Sequence, residues 1–83
     1  MAELRFTRRA QRDIRQLAPT VRREVELALD QLIDDPHSGD RLHGDWKGYW
    51  KLRAGDYRII YRIADRDLVE VQYVRHRREA YRK

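Results

Sequence analysis

Polar and apolar positions in the first 36 residues follow the pattern of one strand and two helices. The alternation over residues 3–6 is typical of a strand. Thr7 supplies a hydroxyl that can cap a following helix. That helix is predicted to stop at Ala18, because the residue preceding a proline avoids the α conformation. A second helix is predicted from Pro19 to Asp34-Asp35-Pro36. The predicted core stripes are Ala10, Ile14 and Leu17, then Val21, Val25, Ala28, Leu29, Leu32 and Ile33.

Residues 36–48 are predicted to form a loop. They contain three of the four glycines and two of the three histidines, His37 and His43. Neither histidine has a carboxylate or cysteine at metal-ligand spacing. The sequence therefore predicts no metal site.

Two alternating runs around Ala54-Gly55 predict a β-hairpin, with glycine supplying a positive φ. If Ala54-Gly55 is the loop, Lys51 lies directly opposite Arg58. The apolar face is then Trp50, Leu52, Tyr57, Ile59, Tyr61 and Ile63, and the opposite face is Tyr49, Lys51, Arg53, Arg58 and Arg62. Opposed like charges destabilise a sheet by about 0.2–1 kcal/mol, so this face is predicted to hold an anion.

A last strand is predicted over residues 68–75, with Val69, Val71 and Tyr73 on its core face. Placing Val71 opposite Tyr61 requires a loop of odd length, which is predicted to be residues 65–67. Strict alternation would turn Arg75 toward the core, so the strand must end or bulge near Val74. The expected fold class is α+β, with the order β-α-α-β-β-β and a short C-terminal helix or tail.

Composition narrows the functional classes. The 83 residues predict a single domain, and the absence of cysteine excludes a disulfide framework and thiolate metal sites. No apolar run is long enough to span a membrane, and residues 1–5 lack a signal-peptide core, so a cytoplasmic location is expected. The net charge of +5 favours polyanionic partners.

The side chains on the cationic face suit one metal-free reaction, which is cleavage of RNA through the 2′-hydroxyl. That reaction needs a base, an acid and cations for the phosphorane. Lys51, Arg58 and Arg75 are the candidate cations, and His76 is a candidate proton carrier. Tyr81 or Tyr49 can stack on a base or donate a proton. The candidates for RNA binding are Tyr49, Arg53, Arg62, Arg77 and Arg78, although the arginines among them are also explained as solubilising charges.

Several short motifs resemble RelE-type toxins of the RelE/ParE superfamily. They are Leu42-His43-Gly44, Tyr49-Trp50-Lys51-Leu52-Arg53, the segment from Gly55 to Tyr61, and the segment from Val74 to Arg82. The resemblance implies the toxin of a type II toxin–antitoxin pair that cuts messenger RNA in the ribosomal A site without a cofactor. Lys51, Arg58, Arg75 and Tyr81 match the functional residues of that family, and many relatives have histidine at the position of His76.

Tyr49 departs from the family pattern, because some members carry a second lysine there that is proposed as the base. His76, Lys51 and Tyr49 therefore remain alternative bases, with Asp40 as a more remote candidate. The resemblance also implies a cognate antitoxin as partner, the ribosome with its message, and operator DNA reached through the antitoxin. The alternative function is that of a ParE-like toxin, which inhibits DNA gyrase and cleaves nothing.

Overall fold

A computed structural model describes residues 1–79 of the chain, and Tyr81 and any helix over residues 80–83 lie outside the described residues. Neither helix in the described part is long and apolar enough to cross a membrane. Two 3₁₀ turns, Pro36–Ser38 and Gly44–Trp46, lie in the predicted loop. The other elements are β1 (Glu3–Phe6), α1 (Arg8–Arg15), α2 (Pro19–Asp34), β2 (Asp40–Arg41), β3 (Trp50–Ala54), β4 (Tyr57–Asp65) and β5 (Leu68–His76).

The described strands form one sheet in the order β1-β5-β4-β3-β2. β1 runs parallel to β5, and the other neighbouring pairs are antiparallel. The predicted α+β class and the order of helices and main strands are confirmed. The prediction of a strand-free loop over residues 36–48 was wrong, because Asp40 and Arg41 pair with Lys51 and Trp50 as the short edge strand β2.

Both helices pack on one face of the sheet, where the apolar stripes predicted from sequence meet. The stripe of α2 is buried at Val25, Ala28, Leu29 and Leu32, and Ala10 of α1 is fully buried. They contact one face of the three central strands, at Leu52, Ala54, Ile59, Tyr61, Val69, Val71 and Val74. The other face of the sheet is therefore the one available for function.

Thr7 ties α1 to β5. Its hydroxyl oxygen accepts the Ala10 N–H at 3.0 Å, which confirms the predicted cap. The same hydroxyl donates to the Gln72 carbonyl at 2.5 Å, and the Thr7 N–H donates to the Val71 carbonyl at 3.1 Å. One residue thus ends β1, begins α1 and fixes both against the middle of β5.

The β3–β4 hairpin differs from the predicted register. Its loop is Gly55-Asp56, so that Lys51 pairs with Ile60 and Arg53 pairs with Arg58. The predicted Lys51–Arg58 pair was therefore wrong. Gly55 has φ 61°, which fits a turn with glycine in its first central position. Among the described residues, positive φ occurs only at glycines. The predicted division of side chains between the two faces still holds, because the register differs by two residues and side chains alternate with period two.

The β4–β5 hairpin contains two irregularities. Tyr61 pairs with Val71 as predicted, but the loop is Arg66-Asp67, and the odd residue is Ala64, which bulges between Ile63 and Asp65. A second register shift leaves Gln72 unpaired between Val71 and Tyr73. The bulge expected near Val74 therefore lies two residues earlier.

The Gln72 bulge overturns one predicted core residue. Tyr73 pairs with Ile60 on the face away from the helices, and the core position passes to Val74, opposite Ile59. Tyr73 is nevertheless buried, with only 5% of its surface exposed, because Arg9 and Trp46 lie over its ring. A β-bulge changes the face of every residue that follows it.

Tyr61 anchors the loop before β2. Its buried hydroxyl donates to the Pro36 carbonyl at 2.9 Å and accepts the Gly39 N–H at 3.1 Å. Burial, opposed by the Gly39 hydrogen bond and assisted by the charges of Asp35 and Asp40, raises the Tyr61 pKa to about 12. A Cβ on Gly39 would collide with this hydroxyl and with the Lys51 carbonyl, so the loop has room only for glycine there.

We expect Tyr61→Phe to lower the free energy of unfolding by about 1–2 kcal/mol at pH 8, because two buried loop groups lose their partner. The unfolded tyrosine ionises near 10 and the folded one near 12. The stability that the hydroxyl contributes is therefore complete below pH 10 and is lost as the pH rises toward 12. Urea unfolding at pH 8 and pH 11 should show the gap between wild type and Tyr61→Phe narrowing by about 1 kcal/mol. A gap that stays constant would contradict this account. Tyr49→Phe, which removes a hydroxyl with no hydrogen bond to the described residues, is the control.

Candidate functional site

Three arginines form a row across β3, β4 and β5 on the face away from the helices. Arg58 is the Cα partner of Arg53 on one side and of Arg75 on the other. Directly opposed residues in antiparallel strands have Cβ atoms about 4.5–5.5 Å apart. The arginine row, defined as Arg53, Arg58 and Arg75, therefore has its three Cα atoms within a strip about 10 Å wide.

The Gln72 bulge is what completes this row. Without the extra residue, the alternation from Val71 would turn Arg75 toward the helices. With it, Arg75 comes to the open face, directly beside Arg58. The bulge interrupts the hydrogen bonds between β4 and β5, and the opposed arginines repel each other. Both features destabilise the sheet, and their occurrence in the same pair of strands is typical of a binding site.

Lys51 lies in the next row along the sheet. It pairs with Ile60, which makes it a diagonal neighbour of Arg58, with Cβ atoms about 7–8 Å apart. On its other side it pairs with Asp40 of β2. The structure thus brings Lys51, Arg53, Arg58 and Arg75 together on one face, although not in the predicted pairing.

Most of this charge is not neutralised within the fold. Lys51, Arg53 and Arg58 make no ion pair with any described residue, and Lys51 and Arg58 are half-buried. Arg75 is the exception, since its Nε lies 3.9 Å from Asp13 Oδ2. Its side chain is still 31% exposed. The site therefore presents guanidinium groups that an anion can reach.

Asp13 is a site residue that the sequence interpretation missed. β1 ends at Phe6, and α1 covers the edge of β5 beyond it. There the buried Asp13 carboxylate accepts the Val74 N–H at 3.1 Å and lies beside Arg75. A sequence signal existed, because Asp13 lies in the apolar stripe between Ala10, Ile14 and Leu17, at a position where a charge needs a specific partner.

His76 lies on the opposite face of the sheet from Arg58, although it borders one pocket together with Arg75 and Asp13. It pairs with Tyr57, a residue of the core face, and the two rings meet edge to face with centroids 5.4 Å apart. Its Nδ1 accepts the Arg78 N–H at 3.3 Å. The histidine ring is thus on the helix side of the sheet, whereas Arg58 is on the open side.

The remaining predicted residues are distributed around the face. Arg62 is on the open side but binds Glu70 Oε1 at 3.2 Å. Tyr49 lies at the margin, with its ring edge-on to Trp46 at 5.7 Å. Arg77 and Arg78 are exposed in the turn after β5. Within the described range, no group of three or more histidine, aspartate or glutamate side chains is arranged to hold a metal ion.

Comparison with known proteins identifies the class. The sequence model described as "ParE toxin of type II toxin-antitoxin system, parDE" matches residues 4–81. The chain therefore belongs to this toxin family of the RelE/ParE superfamily, as the sequence motifs predicted.

The relatives that we compared are RelE-type toxins. Toxin RelG of Mycobacterium tuberculosis is 36% identical over 83 residues, with 96% of this chain and 95% of the relative covered. Toxin RelE of the same organism is 34% identical over 80 residues, with 93% and 82% covered. This chain is thus a RelE-like toxin of a toxin–antitoxin module.

Solved structures agree with this assignment. The toxin–antitoxin complex RelBE2 of M. tuberculosis superposes with a TM-score of 0.81 and 35% identity, over 90% of this chain and 96% of that one. The isolated E. coli RelE toxin gives a TM-score of 0.77 and 29% identity, over 92% and 84%. The fold and the family are therefore shared over nearly the whole described chain.

Proposed function

We propose that this toxin is a ribosome-dependent endoribonuclease that cuts messenger RNA without a metal ion. The observation that carries the proposal is the arginine row, with Lys51 beside it, on the face of the sheet away from the helices. Guanidinium groups bind phosphate oxygens through paired hydrogen bonds. Three of them aligned across adjacent strands suit a phosphodiester whose negative charge increases during reaction.

In the proposed reaction, the 2′-oxygen attacks the adjacent phosphorus and the bond to the 5′-oxygen breaks. The products are a 2′,3′-cyclic phosphate and a 5′-hydroxyl. A base takes the proton of the 2′-hydroxyl, and an acid returns a proton to the leaving 5′-oxygen. Arg58 and Arg75 stabilise the non-bridging oxygens of the phosphorane, and Arg53 and Arg62 bind the flanking backbone.

Lys51 is the proton-transfer group that the geometry favours. It shares the open face with Arg58, whereas the His76 ring lies on the helix side against Tyr57. Tyr49 is the second candidate, at the margin of the same face. For Tyr81, a role in stacking on a base or donating a proton is proposed from the family resemblance alone. This small number of proton-transfer groups is consistent with an enzyme whose substrate is oriented by the ribosome.

A cognate antitoxin is the second proposed partner. The M. tuberculosis and E. coli structures described as RelBE are complexes of toxin with antitoxin. Because the chain has a net charge of +5, the antitoxin is expected to have an acidic segment that covers or distorts the cationic face. We also propose that the pair binds operator DNA through the antitoxin.

The alternative function is inhibition of DNA gyrase. It is favoured by the family description, which names a ParE toxin. It is disfavoured by the arginine row, which a toxin that binds only protein does not require, and by the RelE and RelG names of the sequence relatives.

A paired assay separates the two functions. Purified toxin is added to ribosomes programmed with a short message and, separately, to gyrase acting on plasmid DNA. We expect cuts at the A-site codon, a cyclic phosphate end, and no cleavage when the nucleotide on the 5′ side of the cut bond carries 2′-hydrogen instead of 2′-hydroxyl. Chelation should affect cleavage only through the ribosome itself. Intact message together with trapped gyrase–DNA adducts would refute the nuclease.

A further inference from the structure

We infer that a pocket beside the arginine row binds the base of a message nucleotide flanking the cleaved phosphodiester, with preference for bases that carry an exocyclic amino group. This inference rests on the nuclease function proposed above. The pocket has a volume of about 440 Å³, within the range of small-ligand sites. Its principal lining residues are Arg9, Asp45, Trp46, Tyr49, Gln72 and Tyr73.

The pocket lies one side-chain step from the arginine row. Tyr73 and Arg75 are two residues apart on β5, on the same face, which separates their Cα atoms by about 7 Å. The Gln72 bulge brings both to the open face. A nucleotide whose phosphate lies on the row can therefore extend its base, or that of its neighbour, into this pocket.

Arg9 provides a flat stacking surface. Its guanidinium lies over the Tyr73 ring, with Cζ 4.3 Å from the ring centroid. Its Nε is buried and has no hydrogen-bond partner among the described residues. Unstacked RNA bases bind to guanidinium planes as well as to aromatic rings. An arginine held against a ring on one side offers its other side to a base.

Two aromatic residues form the remaining wall. Trp46 meets Tyr49 and Tyr73 edge to face, with centroids 5.7 and 6.1 Å apart. Trp46 and Tyr49 are only half-buried. The loop that carries Trp46 covers the buried Ile60 and Tyr73, and this accounts for its position on the sheet. Burial alone does not account for the exposed carboxylate of Asp45 and the arginine Arg9, which border the same opening.

Beside the Arg9 guanidinium, two side chains that line the pocket offer acceptor oxygens, Asp45 and Gln72. Asp45 is exposed and contributes a carboxylate. The Gln72 amide nitrogen already donates to Glu70 at 2.6 Å, which leaves its carbonyl oxygen as an acceptor. Adenine, cytosine and guanine each carry an exocyclic amino donor, whereas the N3–H donor of uracil is flanked by two carbonyl oxygens that a carboxylate repels. The Asp45 carboxylate therefore favours an amino-bearing base over uracil.

Direct binding tests this pocket without the ribosome. The probes are 2′-O-methyl pentanucleotides of adenine, cytosine or uracil, which lack the attacking hydroxyl. Trp46 fluorescence is isolated in the Trp50→Phe variant, or as the difference between wild type and Trp46→Phe if Trp50→Phe does not fold. We expect quenching by the adenine and cytosine probes at concentrations about tenfold lower than by the uracil probe.

Variants of the polar groups give the controls. Asp45→Ala should remove the preference over uracil, and Asp67→Ala, in the distant β4–β5 turn, should retain it. Arg9→Lys keeps the charge but loses the planar surface, and should weaken all three probes about tenfold. Equal binding of all probes to wild type, or an unchanged preference in Asp45→Ala, would overturn the inference.

Cleavage on programmed ribosomes then assigns the base to the message. We expect amino-bearing bases next to the cut bond to be favoured by wild type but not by Asp45→Ala. A rate loss in Asp45→Ala that does not depend on the message base would overturn the assignment to the message. Efficient cleavage by wild type without base preference would overturn the pocket alone, whereas absence of cleavage by wild type would overturn the proposed nuclease itself.

Discussion

Arg58→Ala should reduce the rate of message cleavage by about 10²–10³-fold and abolish growth inhibition. Arg58 occupies the centre of the arginine row, with Arg53 and Arg75 as its direct neighbours. Removing one donor that faces a charged transition state typically costs that factor. The measurement is single-turnover cleavage on programmed ribosomes, accompanied by a growth assay after induction.

The same substitution should leave the fold intact or make it slightly more stable. Arg58 has a like charge on each side and makes no ion pair with the described residues. Its removal therefore relieves repulsion worth about 0.2–1 kcal/mol for each opposed pair. Lower activity with equal or higher stability is the result expected of a residue retained for binding.

Arg66→Ala is the matched control, because Arg66 is an exposed arginine in the turn between β4 and β5. It removes the same charge from the chain without touching the row. Equal loss of activity in both variants would mean that total charge matters and not the row. A fully toxic and folded Arg58→Ala protein would refute the site.

Asp13→Ala should lower the free energy of unfolding by about 1–3 kcal/mol. The substitution leaves the Val74 N–H at the edge of β5 without its acceptor, at a buried position. It also leaves Arg75 without the carboxylate beside its Nε. Urea unfolding measures the first effect, and cleavage by the folded fraction measures the second.

Asp13→Asn separates the two roles of this residue. An asparagine oxygen can still accept the Val74 N–H, but it carries no charge toward Arg75. We expect most of the stability to return and cleavage to stay about tenfold below wild type. In an Arg75→Ala background, Asp13→Asn should have no further effect on cleavage. Additive losses would instead show that Asp13 acts only through the fold.

Much of the architecture was predictable because it depends on local periodicity. The stripe of α2, the cap at Thr7 and the start of α2 at Pro19 are properties of short segments, and the structure agrees with each. The first helix, however, ends at Arg15 and not at the predicted Ala18. The division of the β3–β4 hairpin into an apolar and a cationic face was also predictable. It survived an incorrect register because alternation has period two and the observed pairing differs from the predicted one by two residues.

The predicted site residues are divided between the two faces of the sheet for the same reason. Lys51, Arg53, Arg58 and Arg62 share the predicted face, since all lie in regular parts of strands. His76 lies on the other side, because strand alternation after the Gln72 bulge places it with Tyr57. Motif resemblance finds residue positions along the chain but contains no information about which side of a sheet each one faces.

The amino-acid sequence by itself determined the two helices, the four longer strands, most of their apolar positions, and the excess positive charge of the hairpin. These properties follow from the nearest few residues and need no distant contact. Only the tertiary structure decided that Arg53 and not Lys51 faces Arg58, that Gln72 bulges to bring Arg75 into the row, and that Asp13 reaches Val74. Each of these depends on the free energy of pairing segments far apart in the chain, where turn geometry, core filling and the satisfaction of buried N–H groups compete at once.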